Sequence, residues 1–252
     1  MWTLDDTSGP PSWRRRASAT GATLAFSTRR GGTSLPPFDT LNLGRSTLDD
    51  PEAIGNNRAL LLNSLGLSPL LLATAGQVHG TRIVEATGPG HQADCDALVS
   101  SIPGLALAVT TADCMSLLFE APGAVAAAHS GWRGAADGMP VAALSAVCER
   151  AACGADRVHV HFGPCIRGCC YEVGEDVAAR FPEGALRHPG GKPRLDLPTA
   201  TRLALLAAGV PGANIHDTDA CTACEPYWYF SHRRDQGRTG RLWGIAACAV
   251  TA

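Results

Sequence analysis

From residue 22 to residue 250 the chain alternates short apolar runs with glycine- and proline-marked turns, and no Ser/Gly-rich or charged linker interrupts the pattern. Runs of roughly four to eight small or β-branched residues bounded by turn signals read as buried strands. The 28 glycines and 17 prolines supply the many tight turns that such a fold needs. Together with 252 residues, 45% of them hydrophobic, this predicts one strand-rich α/β domain over residues 21–252. Residues 1–20, with Pro10-Pro11 and Arg14-Arg15-Arg16 but no periodicity, read as a flexible N-terminal tail.

Helices punctuate the strands. Asp50-Pro51 pairs an N-cap with proline at the first helical position, Ile54, Arg58, Leu61, Leu62 and Leu65 form one face, and Gly66 ends the helix. Residues 134–153, 175–181 and 196–206 read as three more. Twenty-one basic against 23 acidic side chains leave a net charge of −2, and nothing in that balance points to a nucleic-acid or membrane-surface partner, so none is expected. No window reaches about 18 uncharged apolar residues, so no membrane-spanning helix is expected. The acidic N-terminus lacks the apolar core of a signal peptide. The ten cysteines are therefore expected as reduced thiols of a cytoplasmic, monomeric protein, mostly as small buried hydrophobes.

Three reactive residues close apolar runs. Cys114 follows Leu105 to Val109, His129 follows Val125 to Ala128, and His79 follows Leu70 to Ala75. The short turn Glu120-Ala121-Pro122-Gly123 suggests that the strands leading to Cys114 and His129 are neighbours. Two imidazoles and one thiolate are a zinc-like set, three protein ligands with a free fourth position being the catalytic pattern. In a second reading Cys114 is a nucleophile activated by His129. In a third, the residues are a buried cysteine and two ordinary histidines.

Other candidates are less sharp. Thr28 to Ser34 is a glycine-rich loop whose Arg29 could present a guanidinium fork to an anion. Asp39 and Asn42, in the next loop, suit either a turn cap or a ligand contact. Asp94 and Asp96 invite an acid/base or metal reading, against loop capping. Cys165, Cys169 and Cys170 lie about 50 residues before Cys221 and Cys224, outside the zinc-ribbon gap of roughly 15–20 residues, which disfavours a structural zinc and leaves their role open. The aromatic and arginine cluster from Tyr227 to Asp235 suits base stacking or a core edge.

Taken in order, Gln77-Val78-His79-Gly80, Ala112-Asp113-Cys114, His129-Ser130-Gly131-Trp132-Arg133-Gly134, Gly163-Pro164-Cys165-Ile166 with Tyr171-Glu172-Val173-Gly174, Cys221-Thr222, and Phe230 to Asp235 with Thr239-Gly240-Arg241 form a recognisable set. It resembles the laccase-domain family, also called multicopper polyphenol oxidoreductase or peptidoglycan editing factor proteins, whose members are described as purine nucleoside phosphorylases. The resemblance implies a four-layer α/β/β/α sandwich with mixed sheets, related to cysteine-hydrolase-like proteins. It implies Zn²⁺ held by His79, Cys114 and His129. It also implies phosphorolysis of adenosine, inosine, guanosine and methylthioadenosine to base and ribose 1-phosphate, with deamination of adenosine at purine C6 by zinc-activated water. Its small-molecule partners are thus a purine nucleoside and phosphate. Arg29 and Arg45 are the candidate phosphate cations, Arg133 is a third, and Asn42 matches a loop residue near the nucleoside.

Ser116 and Ser130 depart from the family's usual Pro and Ala, which puts loop shape and substrate preference in question rather than metal binding. Two alternatives stand beside this reading. A copper-dependent polyphenol oxidase would want an axial Met, but Met115 points away from Cys114's face of the strand, and eight histidines are few for several coppers. A hydrolase that edits a peptidoglycan precursor would share the same pocket.

Overall fold

The apolar runs form the strands of two large mixed sheets in a computed structural model that describes residues 2–16 and 20–250. Strands and helices are numbered along the chain. The seven-stranded sheet contains β1 (Thr3–Asp5), β2 (Ser12–Arg16), β3 (Thr23–Ser27), β4 (Leu72–Ala75), β6 (Gly90–Gln92), β8 (Ala106–Thr111) and β15 (Leu242–Ala247), in the order β1-β2-β3-β15-β8-β4-β6. The six-stranded sheet contains β5 (Ile83–Glu85), β7 (Ala97–Ser100), β9 (Met115–Ala121), β10 (Ala124–Ser130), β11 (His159–Phe162) and β14 (Ile215–Asp217), in the order β14-β11-β9-β10-β7-β5. A small pair, β12 (Leu186–Arg187) and β13 (Arg194–Leu195), stands apart. β4 runs parallel to β6 and β8, β5 to β7, and β11 to β14, while the other pairings are antiparallel.

Alternation along the strands builds three cores, because successive side chains point to opposite faces. Leu24, Phe26, Leu107 and Val109 of one sheet meet Leu98, Leu118, Val125 and Ala127 of the other. The six-stranded sheet's second face offers Leu117, Phe119, Ala126, Ala128 and Val160 to α3 (Met139–Ala151) and α5 (Leu197–Ala207). The seven-stranded sheet's second face, with Ala106, Ala108, Trp243 and Ile245, packs on Leu61 and Leu62 of α1 (Pro51–Ser64). Asp50 caps α1 as its sequence predicts, accepting from the Glu52 N–H. Among the described residues no helix is long and apolar enough to cross a membrane.

Three expectations need correction. The N-terminal segment, read as a flexible tail, is an ordered hairpin over its described residues: β1 and β2 extend the seven-stranded sheet, and Trp2 is buried against Phe26, with ring centroids 4.7 Å apart. Residues 17–19 lie outside the described residues. Three successive arginines hide the strand periodicity of β2, which is paired on both sides, and Arg14 pairs with Asp5 at 3.0 Å and donates to the Ser64 carbonyl at 3.0 Å. Residues 134–153 are two helices, α2 (Trp132–Ala136) and α3, because Gly138 takes φ = 92° between them. The remaining helix, α4, spans Glu175–Ala178. Finally, β8 and β10 are not neighbours. They belong to opposite sheets; β10 lies between β7 and β9, and the short turn 120–123 joins it to β9, a separate strand that begins at Met115 just after Cys114.

Candidate active site and metal centre

The crossing between the sheets makes the site. The chain leaves the seven-stranded sheet at Thr111, passes through Ala112-Asp113-Cys114, and enters the six-stranded sheet at Met115. His129, near the end of β10, pairs with Ser116 of β9, which brings its imidazole beside Cys114. His79 arrives on the loop after β4, and its ring stands edge-on to that of His129 with centroids 4.9 Å apart. One ligand atom from each of His79, Cys114 and His129 lies within 4.8 Å of the others, so the three residues form a group able to hold a metal ion.

Backbone strain around the trio is offset by polar contacts. Gln77 and His79 have φ of 58° and 64°, and Asp113 has 86°, all in the left-handed region that non-glycine residues avoid. The Gln77 amide grips Thr110 of β8, donating to its carbonyl at 2.6 Å and accepting from its N–H at 2.7 Å and from its hydroxyl. Asp96 is buried and accepts from the N–H groups of Val78, His79 and Gly80 at 3.0, 2.9 and 2.8 Å. Its Oδ1 also takes the Nδ1 proton of His129 at 2.8 Å. Asp96 thus caps backbone N–H groups, those of the His79 loop, and also orients the His129 ring. Fixing Nδ1 in this way leaves Nε2 of His129 for Cys114 or a metal.

Asp113 ties the Cys114 turn to the C-terminal loops. Its Oδ1 accepts from the Thr222 hydroxyl and its Oδ2 from the Arg233 N–H, both at 2.6 Å. Gly131 completes the cradle. A Cβ there would lie 2.9 Å from Cys114 Sγ and 3.5 Å from the His79 ring, so only a residue without a side chain lets the trio close.

The electrostatics suit a thiolate. Burial alone would raise the Cys114 pKa, but His129 and His79 outweigh it and lower it to about 6. Burial would likewise neutralise His129, but Cys114 and Asp96 raise its pKa to about 9. Asp96 is pushed up by burial and pulled further down by His129 and the surrounding N–H groups, so it stays ionised. The donor set therefore fits a divalent cation: one thiolate, a His129 ring with a single nitrogen free, a second histidine, and an open side.

That open side is a cavity of about 470 Å³, within the roughly 300–1,000 Å³ of small-molecule sites. Besides the trio it is lined by Gln77, Thr110, Asp113, Tyr171, His232, Arg233 and Arg241, among others. Among the described residues, neither Arg233 nor Arg241 makes a salt bridge with a carboxylate. Arg241 is largely enclosed, and burial lowers its pKa although Cys114 and Asp113 pull it up.

The arginines expected from the sequence lie elsewhere. Arg29 is spent on structure, donating to the carbonyls of Asp39 and Pro226, pairing with the Asp39 carboxylate at 3.1 Å and stacking on Phe230. Arg45 is exposed, next to Ser46, which does line the cavity. Arg133 is exposed over the Trp132 ring. Asn42 is buried one layer behind the cavity: its amide donates to Thr47 and Asp49, and its Oδ1 accepts from the N–H of Arg241 at 2.8 Å. Arg233 and Arg241 stand inside the family-like motifs, but their spacing carries no sign of which arginine turns inward. In the same run Arg234 turns away, bidentate to Asp235 at 2.7 and 2.8 Å.

Comparisons with known proteins identify the family and the fold. Residues 23–249 match a family described as multi-copper polyphenol oxidoreductase laccase. A protein of Deinococcus radiodurans named purine nucleoside phosphorylase is 39% identical over 227 residues, covering 88% of this chain and 87% of its own. A Streptomyces griseus protein of the same name is 40% identical over 244 residues, covering 91% and 96%. Among solved structures, YlmD of Geobacillus stearothermophilus superposes with a TM-score of 0.92 at 33% identity over 99% of both chains. YfiH of Bacillus licheniformis gives 0.91 at 30% identity over 98% of both. The chain belongs to the multi-copper polyphenol oxidoreductase laccase family.

Proposed function

We propose that the protein is a zinc-dependent purine nucleoside phosphorylase. It converts adenosine, inosine, guanosine and methylthioadenosine to the free base and the pentose 1-phosphate, and it also deaminates adenosine. The observation that carries the proposal is the cavity that unites the His79–Cys114–His129 trio with two arginines lacking carboxylate partners. The relatives named purine nucleoside phosphorylase support the same reading.

Phosphorolysis breaks the C1′–N9 bond, with the electron pair leaving on the purine, and forms a bond from phosphate oxygen to C1′. The phosphate brings negative charge into a cavity lined by Arg233 and Arg241, which among the described residues donate to backbone carbonyls but pair with no carboxylate, and guanidinium forks match phosphate oxygens in charge and shape. In this role they replace Arg29, whose guanidinium is already committed. Asn42 then acts through Arg241, by fixing its backbone. Burial pushes Tyr171 up to about 12, so it keeps its proton and can donate a hydrogen bond to the base or sugar. Zinc held by His79, Cys114 and His129 would supply a Lewis acid that polarises a substrate atom or acidifies water for the deamination.

A second reading has its own observation. The Asp96–His129–Cys114 chain, with its lowered thiol pKa, is the arrangement of an activated nucleophile, as a hydrolase editing a peptidoglycan precursor would use. The copper oxidase is less favoured. Met115 is buried in the core packed on α3, and the metal-compatible ligand groups among the described residues are this trio and four cysteines, while His159, His161 and His216 stack ring on ring without forming such a group.

The test is turnover of adenosine and inosine with and without phosphate by zinc-loaded wild type and Cys114→Ala protein, with base and pentose 1-phosphate separated by chromatography. Phosphate-dependent base release that disappears with Cys114→Ala is expected. No phosphate-dependent release by zinc-loaded wild type overturns the proposal, and alkylation-sensitive hydrolysis without metal establishes the nucleophile instead.

A further inference from the structure

Ten cysteines in one chain, expected as small buried hydrophobes, are in fact mostly not buried: only Cys95, Cys165 and Cys221 are, and Cys169 and Cys224 are exposed. Four of the ten converge. The sulfurs of Cys169, Cys170, Cys221 and Cys224 all lie within 4.8 Å of one another. Cys169 Sγ is 3.5 Å from both Cys221 Sγ and Cys224 Sγ, and Cys170 Sγ is 3.2 Å from Cys224 Sγ. Four thiolates around zinc at about 2.3 Å in a tetrahedron have sulfurs about 3.8 Å apart. The three closest separations are a few tenths of an ångström shorter than that, and all six lie within 4.8 Å, so small shifts of the side chains bring the sulfurs to that spacing.

The gap of about 50 residues that argued against such a site is closed by the fold. Cys165 and Cys221 form a parallel bridge, with the Thr222 N–H donating to the Cys165 carbonyl at 3.1 Å. This lays the loop ending at Cys170 against the turn Cys221 to Cys224. Arg194 reaches the Cys169 carbonyl at 3.0 Å and brings positive charge to the site's edge.

We propose that Cys169, Cys170, Cys221 and Cys224 bind a second, structural zinc ion, separate from the His79–Cys114–His129 group. On binding, the four thiols release four protons to solvent and four sulfur–zinc bonds form, with no change of oxidation state. With all four positions taken by protein there is no open coordination site, so the ion's role is to staple two loops. Both loops feed the cavity: Tyr171 follows Cys170 directly, and Thr222 follows Cys221 and holds Asp113 beside Cys114.

The experiment measures zinc per chain by elemental analysis in Cys114→Ala protein, where the first group is disabled, and in Cys114→Ala/Cys224→Ser. One zinc in the former and none in the latter are expected, whatever the activity of the first group proves to be. No zinc in correctly folded Cys114→Ala protein overturns the proposal. So does a mass, after alkylation of unreduced denatured protein, showing that these cysteines are joined as disulfides. Should the double variant fail to fold, cobalt substituted into Cys114→Ala protein keeps the question open to decision. Intense sulfur-to-cobalt charge-transfer absorption supports a four-thiolate site, and its absence refutes it.

Discussion

Gly131→Ala isolates the geometry of the His79–Cys114–His129 group from its chemistry. Gly131 has φ = −77° and ψ = −178°, an extended conformation that alanine adopts without strain, so the backbone does not object to the change. The objection is steric. The new methyl would lie 2.9 Å from Cys114 Sγ, where ordinary contact between such atoms is about 3.5–4.0 Å. Either the sulfur or the start of α2 must therefore move by roughly 0.6–1.1 Å. Metal–ligand distances tolerate only about 0.2 Å, so the trio can no longer close on one ion. We expect zinc affinity to fall about 100-fold, the upper end for disturbing the surroundings of metal ligands and equivalent to about 2.7 kcal/mol. Overpacking costs the fold about 1–3 kcal/mol, leaving the protein folded. Competition against a chromophoric chelator measures the affinity and thermal melting the stability. A folded Gly131→Ala protein that holds zinc and turns over nucleoside as wild type does would refute the close-approach argument.

Asp96→Asn leaves the shape of the buried bracket but removes its charge, and an amide nitrogen cannot accept from the N–H groups now bound. A loss of about 2–4 kcal/mol is expected in chemical denaturation. In metal-free protein, alkylation of Cys114 should hold a plateau down to pH about 6 and fall below it, because the lowered thiol pKa puts proton uptake there rather than near its ordinary value. Above pH about 9 His129 loses its proton while the thiolate remains, so the rate should not fall again. A midpoint near the ordinary thiol pKa would dismiss the thiolate–imidazolium pair. Arg241→Met and Arg233→Met should each raise KM for phosphate tenfold or more, while Arg29→Met lowers melting temperature and leaves that KM alone; the opposite pattern would return the phosphate site to Arg29. Deleting residues 1–16 should cost several degrees of melting temperature by uncovering Phe26, and an unchanged melt would show that the N-terminal hairpin contributes nothing.

What could be read in advance follows the range of the forces involved. Strand runs, the Asp50 cap and the chemical kinds of Cys114, His79 and His129 are local properties, set by side-chain volume, turn propensity and ligand type within a few residues. The family motifs likewise named Arg233, Arg241 and Tyr171 without showing that they share a cavity. Gly131 was quoted in its motif, but a clash with sulfur from another strand is not visible along the chain. The hairpin is not legible along the chain because β1 is only three residues long and β2 carries three successive arginines in place of an apolar alternation, and the break at Gly138 is not legible because glycine inside a helical pattern is often tolerated.

By itself, then, the sequence determined a mixed α/β domain and a thiol–imidazole group capable of holding metal. Only tertiary structure decided that β8 and β10 sit in opposite sheets, so that Cys114 lies at the crossing between them. It also decided that Arg29 pairs with Asp39 while Arg241 lines the cavity, and that four cysteines about 50 residues apart meet. These outcomes depend on which strands pair and which guanidinium finds a carboxylate first. Pairing of that kind is a competition among distant partners, and no short stretch of chain contains its result.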